Sequence, residues 1–328
     1  MPLVIAGKQV GPIGYGMGSL TTPPKIPPQD QAIECLKTAA DIGCLAWNAG
    51  EFYGPPTYNS LVLLSRFYEK YPEYVDKVVL NVKGGMQNFK PNGSPEYIRE
   101  SVENCLKQLG KGKIDQFECA RKDPTIPFET TLRTLKELVD EGKIGSISLT
   151  EVNATTIREA SAIVPISSVE IELSLWTRDP LENGILSTCA ELDIPVYAYC
   201  PVGRGVLAGA LASFDDIPEK DYRRMLPRYQ PDNLKANVKL VAEVEKLAEK
   251  KGWTTAQVAL GWLLGISKRE GMPVIIPIPG TATPSHVREN AAAQALTAEE
   301  MEAVESILSA NPVAGERYHA HGMKLTDM

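Results

Sequence analysis

Two copies of a Gly-Lys-Ile motif, each following an amphipathic helix and leading into a short apolar run, constrain this chain more than any other feature. They read "GKIDQFEC" from 112 and "GKIGSISL" from 142. Before the first, residues 94–110 set Ser94 and Pro95 as N-cap and first helical residue and put Ile98, Val102, Cys105, Leu106 and Leu109 on one stripe. Gly110 stops the helix. Before the second, from about 127 to 141, Phe128, Leu132, Leu135 and Val139 recur at helical spacing ahead of Gly142. The distance between the copies holds one helix plus one strand.

The same alternation runs along the chain. Apolar runs suited to buried parallel strands occur at "CLAWN" (44), "VVLNVK" (78), "SVEIEL" (168), "PVYAYC" (195) and "VIIPI" (274). With "GPIGYG" near 11 they make eight strand candidates, which predicts a (β/α)8 barrel. Thr254 with Gln257 and Thr297 with Glu300 form capping-box patterns that support the helix register. An open doubly wound sheet is the rival. It lacks its dinucleotide fingerprint, because "GYGMGS" is followed by the proline-rich "LTTPPKIPP", which cannot continue as a helix. Residues 1–328 are expected to form one barrel domain, with about 201–232 and a tail from about 311 to 328 outside the repeat.

Composition excludes several functions. At 43% hydrophobic residues, 328 residues can fill one large core, and 41 acidic against 34 basic residues, with no basic run, argue against a nucleic-acid partner. The six cysteines form no C-x-x-C pair and show no zinc spacing, which suits a reducing compartment. No segment is long and apolar enough to span a membrane, so a cytoplasmic protein is expected, with the nucleus also open. Nothing in the pattern sets an oligomeric state.

In such a barrel, chemistry gathers where strands end. The second strand ends at Asn48 and runs into Tyr53, the third ends at Lys83, the fourth near Glu118 to Arg121, and the fifth at Thr150 and Glu151. Two readings of each residue stand open: Tyr53 as a turn or core tyrosine or as a catalyst, and Lys83 as a lysine snorkelling to solvent or as a buried ammonium. Together they suggest chemistry. An ammonium beside a phenol should lower the tyrosine pKa from about 10 and make it a proton donor. One acid, with no metal or nucleophile, suits hydride addition to a carbonyl from a nicotinamide cofactor.

Along nearly its whole length the chain resembles the aldo-keto reductases, NAD(P)H-dependent enzymes built on this barrel. The resemblance rests on "GCLAWNAGEFYG", "NVKGG", "IDQFECARKDP", "VEIELSLWTRDP", "VYAYCPVGRGVLAG" and "IIPIPGTATPSHVREN" in that order. Tyr53 and Lys83 match the family's catalytic tyrosine and lysine, whereas Asn48 stands where the family has aspartate and Ala120 where it has histidine. These departures, with "FECAR" and the late "GERY", resemble the fungal pyridoxal reductases, implying reduction of an aldehyde, pyridoxal, to pyridoxine. A reductase for another aldehyde or ketone and a non-catalytic, cofactor-binding relative are the alternatives.

Without a carboxylate at 48, Lys83 is expected to have a lower pKa than in the family pattern. Alternation puts Glu118 on the face of Ala120, one layer deeper, either replacing the missing carboxylate or making a structural pair. For the cofactor, the resemblance implies NADPH over NADH. It assigns Thr150, Glu151 and Glu170 to the carboxamide, and Tyr199, or alternatively Trp176, to stacking on nicotinamide. Cys200, Val202, Gly203, Arg204, Gly205 and Leu207 match the pyrophosphate loop, Arg204 supplying charge. Gly280, Thr281, Thr283, His286, Glu289 and Asn290 match the adenosine end, with Arg288 as a further basic group.

Overall fold

Eight parallel strands follow one another round an axis in sequence order in the computed structural model, which describes residues 3–209 and 211–327. They are β1 (Tyr15–Gly16), β2 (Ala46–Gly50), β3 (Val79–Gly84), β4 (Gln116–Cys119), β5 (Ile147–Thr150), β6 (Ile166–Glu172), β7 (Val196–Tyr199) and β8 (Ile275–Pro277). The ring is joined by Gly14 N–H to Pro277 O at 2.9 Å and Gly16 N–H to Pro279 O at 3.2 Å. This explains the glycines of "GPIGYG": a Cβ on Gly16 would lie 2.7 Å from Ile278 O. The expected (β/α)8 barrel is what forms.

The helices lie where the periodicity predicts. Pro95–Leu109 stops at Gly110, whose φ of 64° suits a residue without Cβ, and Phe128–Asp140 ends before Gly142. Both expected capping boxes are present, at Thr254 and Thr297. The stretch 201–232 leaves the repeat as a run of tight turns and leads into a long helix, Pro231–Lys251.

Strand alternation separates two interiors. On β2 and β3, Trp47, Ala49, Leu80 and Val82 join the apolar core under the helices, where Trp47 packs on Phe67 with centroids 5.4 Å apart. Asn48, Asn81 and Lys83 take the alternate positions and are buried as well. A hairpin of Leu3–Ile5 and Lys8–Val10 contributes Ile5 and Val10 to a small apolar cluster with Ala46, Val79 and Ile276 at the strand starts. Hydrocarbon fills that end of the barrel, and the middle is polar. Tyr197 donates to Gln116 Oε1 at 2.8 Å, Gln116 Nε2 donates to Ser168 Oγ at 2.9 Å, and Ser168 and Ser148 share a hydroxyl bond of 2.8 Å.

Candidate active site

Register brings Lys83 beside Glu118, its partner across β3 and β4. The Lys83 ammonium lies 2.9 Å from Glu118 Oε1 and donates to Asn48 Oδ1 at 2.9 Å and to Glu170 Oε1. Asn48 Nδ2 reaches Glu170 Oε2 at 2.5 Å and Glu118 Oε1 at 3.4 Å, while Tyr53 donates to Asn48 Oδ1 at 3.4 Å. Ser148 donates to Glu118 Oε2 at 2.9 Å. Lys83 is 5.9 Å from the centre of the Tyr53 ring. The four residues expected at the catalytic centre, Tyr53, Lys83, Asn48 and Glu118, therefore converge.

Two expectations are corrected. Burial pushes the Tyr53 phenol up to about 12, with Lys83 opposing and Glu170 and Glu118 reinforcing the rise, so the expected lowering does not occur. Burial alone would lower Lys83, but Glu118 and Glu170 outweigh it and hold the ammonium well above its usual range. The loss of aspartate at 48 is more than compensated. Glu170, expected with Thr150 and Glu151 at the cofactor carboxamide, is the second carboxyl on Lys83, pushed far above the usual carboxyl range by burial and then by Glu118.

Glu151 and Arg204 are each held in a buried ion pair. Arg317 forks onto Glu151, with bonds of 3.2 and 2.9 Å, and Glu151 Oε1 also accepts the Glu172 N–H at 2.9 Å. Arg204 pairs with Glu172 at 3.0 Å, where Arg317 and Arg228 also approach, at 3.7 and 4.0 Å. Burial favours a neutral Glu172, but these guanidiniums outweigh it and hold its carboxyl below the usual range. Arg204, expected to supply charge to the pyrophosphate loop, is thus paired with a carboxylate. The tail binds further at Asp327, which takes 2.6 Å and 3.3 Å contacts from Thr156 and Lys122 and donates its N–H to Glu151 O. Tyr318 sits between Tyr199, whose hydroxyl is 3.1 Å from its own, and the Arg204 guanidinium, 4.9 Å above its ring. Sequence reasoning noted "GERY" but missed Arg317 as a partner for Glu151.

The remaining expected cofactor residues frame the same mouth. Thr150 is paired in register with Glu170, and among the described residues its buried hydroxyl has no partner, nor has the indole N–H of Trp176. Cys200 has φ 50°, and Gly203, Arg204 and Gly205 follow with φ of 56°, 52° and 99°, a left-handed run that turns successive backbone groups to one side. Val202 O accepts the N–H groups of Gly205 and Leu207. Gly280 packs so closely that a Cβ there would lie 2.9 Å from Gly16 O and 3.3 Å from the unpartnered hydroxyl of Ser19. Ser19 follows Gly18, whose Cβ position is 3.9 Å from the Tyr53 ring. The turn after β1, which the sequence reading passed over, thus links Tyr53 to Gly280. Thr281 O accepts the Tyr15 hydroxyl at 2.5 Å, and Thr283 stands at the N-cap position of Pro284–Ala291 without a side-chain bond to it. On that helix His286 and Arg288 are exposed, Asn290 is buried, and Glu289 accepts from Thr254 at 2.7 Å, turned to the neighbouring helix. Unpartnered buried hydroxyls, a left-handed loop and a close glycine suit a ligand with amide and phosphate groups, and a nicotinamide dinucleotide fits them.

The profile of the Aldo/keto reductase family matches residues 12–309, and the chain belongs to that family. "Probable pyridoxal reductase 2" of Schizosaccharomyces pombe is 42% identical, the match covering 97% of each chain. "Putative pyridoxal reductase" of Saccharomyces cerevisiae is 39% identical over 93% of this chain and 95% of its own. The glycerol dehydrogenase of Gluconobacter oxydans shares the fold at a TM-score of 0.83 and 23% identity, covering 96% of this chain and 97% of its own.

Proposed function

We propose that this protein reduces pyridoxal to pyridoxine with NADPH, Tyr53 giving the proton. The observation that carries the reading is the meeting of Tyr53, Asn48 and Lys83 at the ends of β2 and β3, with the small, buried Ala120 bonded through its N–H to Gly84 O at the end of β3. Two relatives named as pyridoxal reductases over nearly their whole length support the substrate.

NADPH, when bound, supplies the hydride. Thr150 and Trp176 offer unpartnered polar atoms to its carboxamide end, the 200–207 loop offers backbone groups to its phosphates, and the segment from Gly280 to Asn290 takes its adenosine. With a pKa of about 12, Tyr53 stays protonated across the working range, and an alkoxide is basic enough to take its proton. Lys83 steadies the phenolate left behind, and Asn48 holds both in place through one carbonyl oxygen. Ala120 leaves room beside the carbonyl for an aromatic aldehyde that carries its own neighbouring hydroxyl.

The test is NADPH oxidation by purified protein, without added metal, across pyridoxal and a panel of aliphatic and aromatic aldehydes. Pyridoxal is expected to give the highest kcat/KM. A better aldehyde elsewhere in the panel would reassign the substrate, and tight NADPH binding without turnover of any aldehyde would make the protein a non-catalytic binder.

A further inference from the structure

Around Lys83 the charges do not balance if every group takes its usual form. Glu118 and Glu170 are 0% and 1% exposed, and among the described residues Lys83 is the one cation within 4 Å of either. Every other side chain on them or on the chain of bonds below, Asn48, Ser148, Ser168, Gln116 and Tyr197, is uncharged in its ordinary state. Two ionised carboxylates against one ammonium would bury a net negative charge, and removing an uncompensated charge from water costs far more than keeping one proton.

Donor directions show where that proton belongs. The Gln116 amide has its carbonyl oxygen taken by Tyr197, so its N–H points at Ser168. Ser148 has Glu118 Oε2 at 2.9 Å and Ser168 O at 3.1 Å, and with its hydrogen on the nearer of the two the hydroxyl bond between the serines runs from Ser168 to Ser148. With the Lys83 ammonium 2.9 Å from Oε1 and Asn48 donating to the same oxygen, Glu118 meets one cation and two hydrogen-bond donors and has the surroundings of a carboxylate. Glu170 receives two, from Lys83 and Asn48, and faces Glu118. A hydrogen on Glu170 turns a repulsive carboxyl contact into a donor–acceptor one.

We propose that Glu170 carries a proton at neutral pH, and that this proton, passed through Lys83, restores Tyr53 after each reduction. The transfer needs no redox partner. When the Tyr53 O–H bond breaks toward the reduced carbonyl oxygen, a Lys83 N–H bond breaks and re-forms that O–H. The Glu170 O–H bond breaks in turn and re-forms the N–H, and solvent returns a proton to Glu170 before the next cycle. Glu170 acts through Lys83 and is a positioning and proton-holding residue. The relay rests on the proposed reduction, whereas the stored proton is a property of the cofactor-free protein.

The first experiment is infrared spectroscopy of cofactor-free protein with carbon-13 in its glutamate carboxyls. A protonated-carboxyl band is expected at neutral pH. It should vanish in Glu170→Gln, and also in Glu118→Gln, where Glu170 becomes the sole partner of Lys83 and ionises. Absence of the band in the unmodified protein, or its survival in Glu170→Gln, overturns the proposal, and the unmodified protein decides even if a variant fails to fold. The second experiment is the pH profile of pyridoxal reduction. Glu170→Gln is expected to lower kcat roughly tenfold above neutral pH and less below it, short of the ~10²-fold for losing the general acid itself. A loss independent of pH would give Glu170 a structural role and overturn the relay. If unmodified protein turns over no aldehyde, the function reading fails while the infrared result still stands.

Discussion

Two buried ion clusters sit at the mouth of this barrel, and they are built in opposite ways. Around Lys83, two carboxyl groups meet one cation, and all three lie on β3, β4 and β6, fixed by strand register. Around Glu172, two carboxylates meet three guanidiniums, from Arg204 and Arg228 in the excursion after β7 and Arg317 in the tail. The first exists as soon as the sheet closes. The second exists only when a loop and the tail have docked. A strand-borne cluster can hold a proton in a fixed place, whereas a loop-borne one with excess guanidinium holds separate segments of chain together.

The comparison breaks first at Arg317. Replacing it with alanine strands Glu151, which is 1% exposed and has no other ion-pair partner among the described residues. Arg317→Ala should therefore lose about 3–5 kcal/mol in urea unfolding. A loss below about 1 kcal/mol, the scale of a surface pair, would make the second cluster ornamental. Next in size, Tyr53→Phe should lower turnover of pyridoxal by roughly 10²-fold or more while NADPH titration stays nearly unchanged. An active variant in single-turnover kinetics would remove the phenol from the chemistry.

Stability against pH should separate the clusters by sign. Glu172 lies below its ordinary value, so its contribution is present above the unfolded pKa and is lost as pH falls through the lowered one. Glu170 lies above its ordinary value, so its contribution is complete in acid and is lost as pH rises from the unfolded pKa towards the raised one. Unfolding curves across pH should show Glu172→Gln destabilised at neutral pH and level with the parent in acid. Glu170→Gln should gain on the parent as pH rises between those two values, with a slope of at most about 1.4 kcal/mol for each pH step of one. Slopes of the same sign would mean that the two carboxyls share one kind of environment. The smallest effect is expected at the exposed pair His286 and Arg288. Replacing both with alanine should weaken NADPH about tenfold, roughly 1.4 kcal/mol, and leave NADH unchanged. Equal weakening would locate the 2′-phosphate elsewhere.

What the sequence reveals follows the same division. The barrel, its capped helices and the convergence of Tyr53, Asn48, Lys83 and Glu118 are readable because period-two alternation and the strand-end rule are local. Glu170 shows its unusual burial in "SVEIEL", where a carboxyl interrupts an apolar strand, but local spacing says nothing about which strand it faces across the barrel. Arg317 lies 145 residues beyond Glu172 and 166 beyond Glu151, in a tail with no periodicity to place it. The phenol's pKa goes astray for another reason. Adjacency to Lys83 is visible in the strand ends, but the desolvation that outweighs it belongs to the finished fold.

The barrel's polar middle has a calorimetric consequence. Barrels of this class are ordinarily filled by layers of branched hydrocarbon side chains, yet Asn81, Gln116, Ser148 and Ser168 are each no more than 1% exposed here. Unfolding would hydrate amide and hydroxyl surface at these positions, which lowers the heat-capacity increment, at about −0.26 cal/K/mol per Å², where hydrocarbon would raise it by about 0.45. The stability curve of this protein should therefore be flatter with temperature than that of an equally large barrel packed with valine and isoleucine.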